Sequence, residues 1–212
     1  MTELAQKQKK PRKERKQNAD MRRRQLLDAA RRSILNHGLA KTTLATVADE
    51  AGLSQGVAVF YFKSKGGLLS ETLRDIYQGY EALWTAALDG AGDDPKAKLA
   101  ALLRSDFCEE ACGPDVLPLW FAFWGELRFA EDYDAIAEDF DRRRHEALLA
   151  LWSELLPQAD TQEVSRITEW METLTDGYWQ SLHLSPQEYD RTEVLAATKA
   201  CLARLVPGVF DA

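Results

Sequence analysis

The chain has 212 residues, 45% of them hydrophobic and 29% charged, with a formal net charge of −7. That length buries one large core or two small ones. No run approaches the roughly 18 to 20 consecutive apolar residues of a membrane span, and no apolar stretch follows the basic N-terminus as a secretory signal requires, so a cytoplasmic chain without a membrane partner is expected.

Cys108, Cys112 and Cys201 make an odd total that suits a reducing compartment rather than a disulfide framework. His37, His145 and His183 stand at no ligand-like spacing from the cysteine pair, so neither a metal nor another cofactor is expected. Charge is unevenly placed. Residues 1–24 hold ten Lys/Arg against Glu3, Glu14 and Asp20, a net +7, which leaves −14 for the remainder. An acidic body excludes wrapping of nucleic acid by the whole surface, but one basic end is free to face phosphates. Residues 1–20 are expected to be a disordered basic arm.

In chain order, the first predicted helix covers about 21–36, with Leu26, Leu27, Ala30 and Ile34 on its apolar side and Gly38 as its stop. Thr43 is positioned to cap a second short helix carrying Leu44, Val47, Ala48 and Ala51 at i, i+3, i+4, i+7. Gly52 interrupts, Ser54 caps again, and 55–62 form a third. Ser64 caps a long fourth helix from Lys65, with Leu69, Leu73, Tyr77, Tyr80, Trp84 and Leu88 along one stripe. It ends in the glycine-rich, acidic "DGAGDDP". Further helices are predicted at 95–111, 116–129, 133–156, 162–183 and 191–206. The Asp160/Glu163 and Asp190/Glu193 spacings mark two of those starts. The class is all-α.

Residues 42–62, "TTLATVADEAGLSQGVAVFYF", have the parts of a helix-turn-helix: a short support helix, a turn at a residue tolerant of positive φ, and a second helix free to enter a major groove. That helix begins at Ser54, among the residues expected at DNA, and its leading Gln55, Gly56 and Val57 would meet base edges; Gln hydrogen-bonds adenine, and Val touches a thymine methyl. Thr43, Tyr61, Lys65 and the helix N-terminus are placed for phosphates. On spacing alone, a packed three-helix subdomain without DNA is the alternative.

The stretch "TTLATVADEAGLSQGVAVFYFKSKGGLL" resembles the N-terminal domain of the TetR family, T-T-x-x-x-[IV]-A-x-x-A-G-[VL]-S-x-G-x-x-Y-x-[HY]-F-x-[SD]-K-x-x-L. The resemblance places Thr43, Tyr61 and Lys65 on phosphate contacts and Gln55 and Val57 on base-reading positions. Val59 departs from the pattern, since the family most often has a DNA-contacting Tyr there. The resemblance implies about nine helices in an N-terminal helix-turn-helix domain (21–67) and a C-terminal ligand-binding and dimerisation domain (68–212). It further implies a homodimer on a palindromic double-stranded operator, its half-sites roughly 34 to 36 Å apart. In such a complex the arm would anchor in the minor groove or on the backbone.

All six Trp follow residue 67. Trp120, Phe123, Trp124 and Leu127 share a helical side, and Asp176, Tyr178 and Trp179 lie within one turn. Core packing is one reading. The other is an aromatic cage for an alkylated cation, with Asp176 or Glu126 supplying the counter-charge. "W-x-A-F-W" at 120–124, "DRRR" at 141–144, "DG-x-W" at 176–179 and "KGGLL" at 65–69 are similar to the choline-sensing branch of the same family. This implies a choline-like effector, with a sulfonium osmolyte or a neutral or acyl ligand as alternatives.

By the same resemblance the last two helices pair with their copies. Ile167, Met171 and Leu174, then Ala196, Ala197, Ala200, Ala203 and Leu205, would supply that face. The helix from Lys65 would relay effector binding to the DNA-reading helices. No nucleophile elbow, phosphate-cradling loop or zinc spacing is present, so no catalytic residue is expected.

Overall fold

In the computed structural model, residues 12–210 are described. Their regular structure is helical throughout, with no strand among them. The chain divides into two compact units, residues 1–72 and 73–212, a boundary five residues later than the sequence suggested.

The first unit contains α1 (Arg12–Lys41), α2 (Leu44–Glu50), α3 (Gln55–Phe62) and the start of α4 (Lys65–Gly90). α1 begins earlier than expected, so residues 12–20 are helical rather than disordered; the arm's residues 1–11 lie outside the described residues. No Gly or Pro interrupts residues 12–37, and their Lys, Arg, Glu, Gln, Ala and Met are good helix formers. At Gly38 (φ 79, ψ 165) the helix kinks, as its glycine suggested. Leu26, Leu27, Ala29 and Ala30 are buried against Val47, Ala48, Ala58, Phe62 and Leu68. Ala48 and Ala58 let the short helices approach closely. Gly52, at φ 65, makes the turn between them, and the N–H of Leu53 closes it on the carbonyl of Ala48 at 2.8 Å.

The second unit contains the rest of α4, then α5 (Pro95–Asp106), α6 (Glu109–Cys112), α7 (Leu117–Trp124), a 3-10 turn (Leu127–Phe129), α8 (Glu131–Leu155), α9 (Thr161–Leu184) and α10 (Arg191–Leu205). Two predicted helices are each broken. The segment 95–111 stops at Asp106, whose carbonyl accepts the Trp179 indole N–H at 2.9 Å. The segment 116–129 stops at Gly125, a poor helix former. The carboxylates of Asp94, Asp160 and Asp190 accept first-turn N–H groups, which fixes the starts of α5, α9 and α10.

The core joins Leu99, Leu102 and Leu103 of α5 to Leu148 and Trp152 of α8, Ile167 and Met171 of α9, and Leu202 of α10. Ile167 and Met171 thus face their own core and not an external surface. Ala196, Ala197, Ala200 and Leu205 remain exposed on α10, as do Trp170 and Leu184 on α9. No helix among the described residues is long and apolar enough to cross a membrane.

Candidate functional site

The residues of the first unit expected to contact DNA are positioned by its caps. Thr43 and Thr46 form a reciprocal capping box: the Thr43 hydroxyl accepts from the Thr46 N–H at 3.1 Å, and the Thr43 N–H donates to Thr46 Oγ1 at 2.9 Å. The preceding Thr42 is fully buried, 3.1 Å from the buried Ser33 hydroxyl, and donates to the Gly38 carbonyl at 3.0 Å. The two adjacent threonines therefore differ in task, one locking α1 to the turn and the other starting α2.

Ser54, Gln55 and Gly56 are exposed at the start of α3, although the Ser54 hydroxyl makes no cap bond. Val57 and Tyr61 are half-buried and packed against the unit's core, so Val57 is turned partly away from the position expected for it. The outward row is Gln55, Gly56, Val59 and Phe60, with Phe60 67% exposed. Phe60 was not singled out from sequence. Its signal was available: three consecutive aromatics at about 100° per residue cannot all turn inward, and Phe62 takes the core. Lys63 sits 5.3 Å above the Phe60 ring and donates to the Phe60 carbonyl at 2.8 Å. Lys65 donates from Nζ to the Ala40 carbonyl at 2.6 Å, holding its ammonium beside the end of α1. A Cβ at Gly67 would stand 2.3 Å from the Phe62 carbonyl oxygen, which explains a glycine at that point of "KGGLL".

The second unit carries a partly open cavity of about 690 Å³. Trp120 and Trp124 from α7, Trp179 from α9, and Tyr77 and Tyr80 from α4 form its aromatic wall. Trp124 and Trp179 lie nearly parallel, 12° between planes and 6.2 Å between centroids. Trp120 is 6.0 Å from each of them, and Tyr77 meets Trp120 edge-on at 4.8 Å. Of the residues expected at a ligand, the cavity brings together Trp120, Trp124, Asp176 and Trp179.

It does not include Phe123, Glu126 or Tyr178. Phe123 is fully buried, edge-on to Tyr133 at 5.5 Å. Tyr178, one residue from Trp179 and so rotated by about 100°, turns to Phe107. Glu126 follows the end of α7, where helical projection no longer applies, and is exposed.

Behind the aromatic wall lies a buried polar network. Asp106 is fully buried and accepts from the Tyr80 hydroxyl and from Arg144 Nη2, both at 2.8 Å. Burial pushes the Asp106 carboxyl up, opposed by Arg144. Arg144, whose guanidinium also lies 5.2 Å from the Tyr80 ring centroid, is held above its usual value: burial pulls it down, but Asp106, Tyr80 and Glu172 together outweigh that.

Asp141 and Asp176 line the cavity and are themselves exposed at its wall, while the residues packed beside them displace part of their water. Burial raises both carboxyls to about 6; Asp176 raises Asp141 further, and Arg144 pulls Asp176 back. Sequence reasoning missed Tyr77, Tyr80, Asp141 and Arg144 as cavity residues. Arg144 carried a legible signal, since it falls on the buried stripe of α8 that runs through Ala137, Phe140, Leu148 and Leu151. A charge at a core position needs a buried partner.

Two buried indoles and a half-buried one, with adjacent carboxylates, attract a cation through ring faces and full charges together. Residues 26–72 match the family of bacterial regulatory proteins of the tetR family, and residues 95–207 match the C-terminal domain of BetI-type transcriptional repressors. The HTH-type transcriptional regulator BetI of Burkholderia mallei (strain NCTC 10229) is 33% identical over 176 residues, covering 83% of this chain and 89% of that one.

Among solved structures, a transcriptional regulator from Pseudomonas aeruginosa PAO1 superposes with a TM-score of 0.81 at 22% identity, covering 89% of this chain and 92% of that one. A regulator from Saccharomonospora viridis in complex with choline superposes with a TM-score of 0.76 at 18% identity, covering 85% and 95% respectively. With both domains matched and relatives of this identity and coverage, the chain belongs to the TetR family of bacterial transcriptional regulators, in its BetI-type branch, a family of DNA-binding regulators and not of enzymes.

Proposed function

We propose that the chain is a homodimeric repressor of a palindromic operator, released when a small quaternary ammonium such as choline enters the indole-lined cavity. The observation that carries this reading is the convergence of Trp120, Trp124 and Trp179 on one cavity with the carboxylate of Asp176. A tetra-alkylated nitrogen has no N–H to donate, so ring faces and carboxylates are the partners that suit it, at about 0.5 to 2 kcal/mol per desolvated ring contact. The choline-bound Saccharomonospora viridis regulator has the same fold and supports the same class of ligand.

In the DNA-binding unit, Gln55, Gly56 and Phe60 present the exposed face of α3 to base edges, while Thr43, Ser54, Tyr61 and Lys65 meet the backbone. Val57 contributes from the rim. The basic residues 1–20 add phosphate contacts. The exposed alanines of α10 and the exposed row Trp170, Thr173, Gly177 and Leu184 on α9 offer the face along which two copies pair. The helix α4 supplies Lys65 at its start and Tyr77 and Tyr80 further along. Effector binding that favours one pose of this helix over another changes operator affinity by roughly 1 to 3 kcal/mol, and operator binding weakens the effector by the same factor.

The test measures operator affinity by fluorescence anisotropy with and without choline, beside quenching of indole fluorescence. Choline at millimolar concentration is expected to quench and to lower operator affinity. Quenching without any effect on DNA would refute the coupling, and no response in either signal would refute the cavity assignment.

A further inference from the structure

The fixed charges of the cavity do not balance. Glu138, Asp141, Glu172 and Asp176 all reach its wall. The basic side chains that share the wall each have a carboxylate partner: Arg144 has Asp106 at 2.8 Å, Arg142 has Asp139 at 3.0 Å and Glu146 at 3.1 Å, and His145 has Glu172 at 2.9 Å. Among the described residues, Asp141 and Asp176 have no ion-pair partner, and Asp141 accepts from the Tyr77 hydroxyl at 3.5 Å. A single positive charge against the indoles therefore leaves one of these two carboxylates without a fixed counter-charge on the cavity wall.

We propose that the effector carries two cationic centres of different kinds: an alkylated onium group against Trp120, Trp124 and Trp179, and an N–H-bearing ammonium held by Asp141 and Asp176, as in a partly methylated short diamine. This rests on the reading of the cavity as the effector site and narrows its ligand class. The two ends ask for different chemistry. Ring faces favour a nitrogen or sulfur sheathed in methyl groups, whereas carboxylates favour a donor that makes charge-assisted hydrogen bonds.

The two ends are also contiguous. The ring of Tyr77 packs on Trp120 while its hydroxyl points to Asp141, so a short linker joins them. Size agrees: 690 Å³ lies within the range of cavities that enclose drug-sized molecules, and a five-carbon ammonium fills only a fraction of it.

The experiment compares two ligands of the same shape, hydroxypropyl-trimethylammonium and aminopropyl-trimethylammonium, by calorimetry on the full chain. Measurements on Asp141→Asn and Asp176→Asn accompany it, with circular dichroism to establish that each variant folds. The amine is expected to bind about tenfold more tightly than the alcohol near neutral pH, and to lose most of that advantage in either variant. Equal binding of the two compounds overturns the dication while leaving the onium reading intact, as does an advantage that survives both substitutions. Binding of neither removes the effector site itself.

Discussion

Cation binding in this cavity is expected to depend on pH, and the size of the dependence follows from the two carboxylates. Asp141 and Asp176 titrate at about 6, and a bound cation favours their ionised form. At about pH 8 both are ionised and ready. At about pH 5, removing the proton from one of them costs about 1.4 kcal/mol, a tenfold loss of affinity. Choline balances one carboxylate, so the slope should correspond to close to one proton; solvent access at the cavity wall screens it, and a loss of several-fold to about tenfold is expected.

The groups facing the pair are Tyr77 from α4, Asp106 from α5, Glu138, Arg144 and His145 from α8, and Glu172 from α9. None of them supplies a free cation. The same shift acts on folding with its own sign. A carboxyl raised in the folded state binds its proton more tightly there, so its contribution to stability is full below about pH 4 and is lost as pH rises through about 6. The empty protein should therefore gain thermal stability on mild acidification, and choline should raise the melting temperature more at about pH 8 than at about pH 5. Calorimetric titrations across this range on the wild type, Asp176→Asn and the double variant with Asp141→Asn provide the check. Affinity that is flat with pH, or a slope unchanged in the double variant, would refute the reasoning.

Replacing Arg144 with Met strands the fully buried Asp106 and should cost about 3 to 5 kcal/mol in denaturant unfolding; a loss below about 1 kcal/mol would show the pair to be incidental. Gly67→Ala drives a Cβ into the Phe62 carbonyl and should destabilise by about 1 to 3 kcal/mol. The neighbouring Gly66→Ala meets only the Ser64 hydroxyl at 3.8 Å and should be neutral or stabilising by up to about 1 kcal/mol, so equal effects of the two would contradict the steric account. Phe60→Ala should leave stability within about 0.5 kcal/mol while weakening operator binding, and Gln55→Ala should relax preference at one base pair. An operator affinity unmoved by Phe60→Ala would take that side chain off the DNA.

The two units differ in how much of them could be read from sequence, and the difference has a physical cause. In the first unit the determinants are local. A positive φ at Gly52, a cap at Thr43 and apolar spacing through Val47 and Ala48 are consequences of residues within one or two turns of one another, so element identity and the exposed start of α3 were legible. What escaped was rotational: Val57 and Phe60 lie on one short helix, and only its packing within the three-helix core decides which of them turns inward.

In the second unit the cavity is a tertiary object. Trp120 and Trp124 were legible as a pair because four residues is one helical turn, and Asp176 with Trp179 because three is nearly one. Their convergence with Tyr77, Tyr80 and Asp141 depends on α4, α7, α8 and α9 packing together, which no local spacing specifies. Phe123 and Tyr178 went astray for the same reason, since a helix presents several aromatic faces and only its neighbours select one. Arg144 is the instructive case: a charged residue on a buried stripe announces a partner without naming it, and Asp106, 38 positions away, becomes visible only when α5 and α8 are side by side. A buried charge out of step with its helix is therefore the sequence feature that points most directly to a polar network beneath a binding wall.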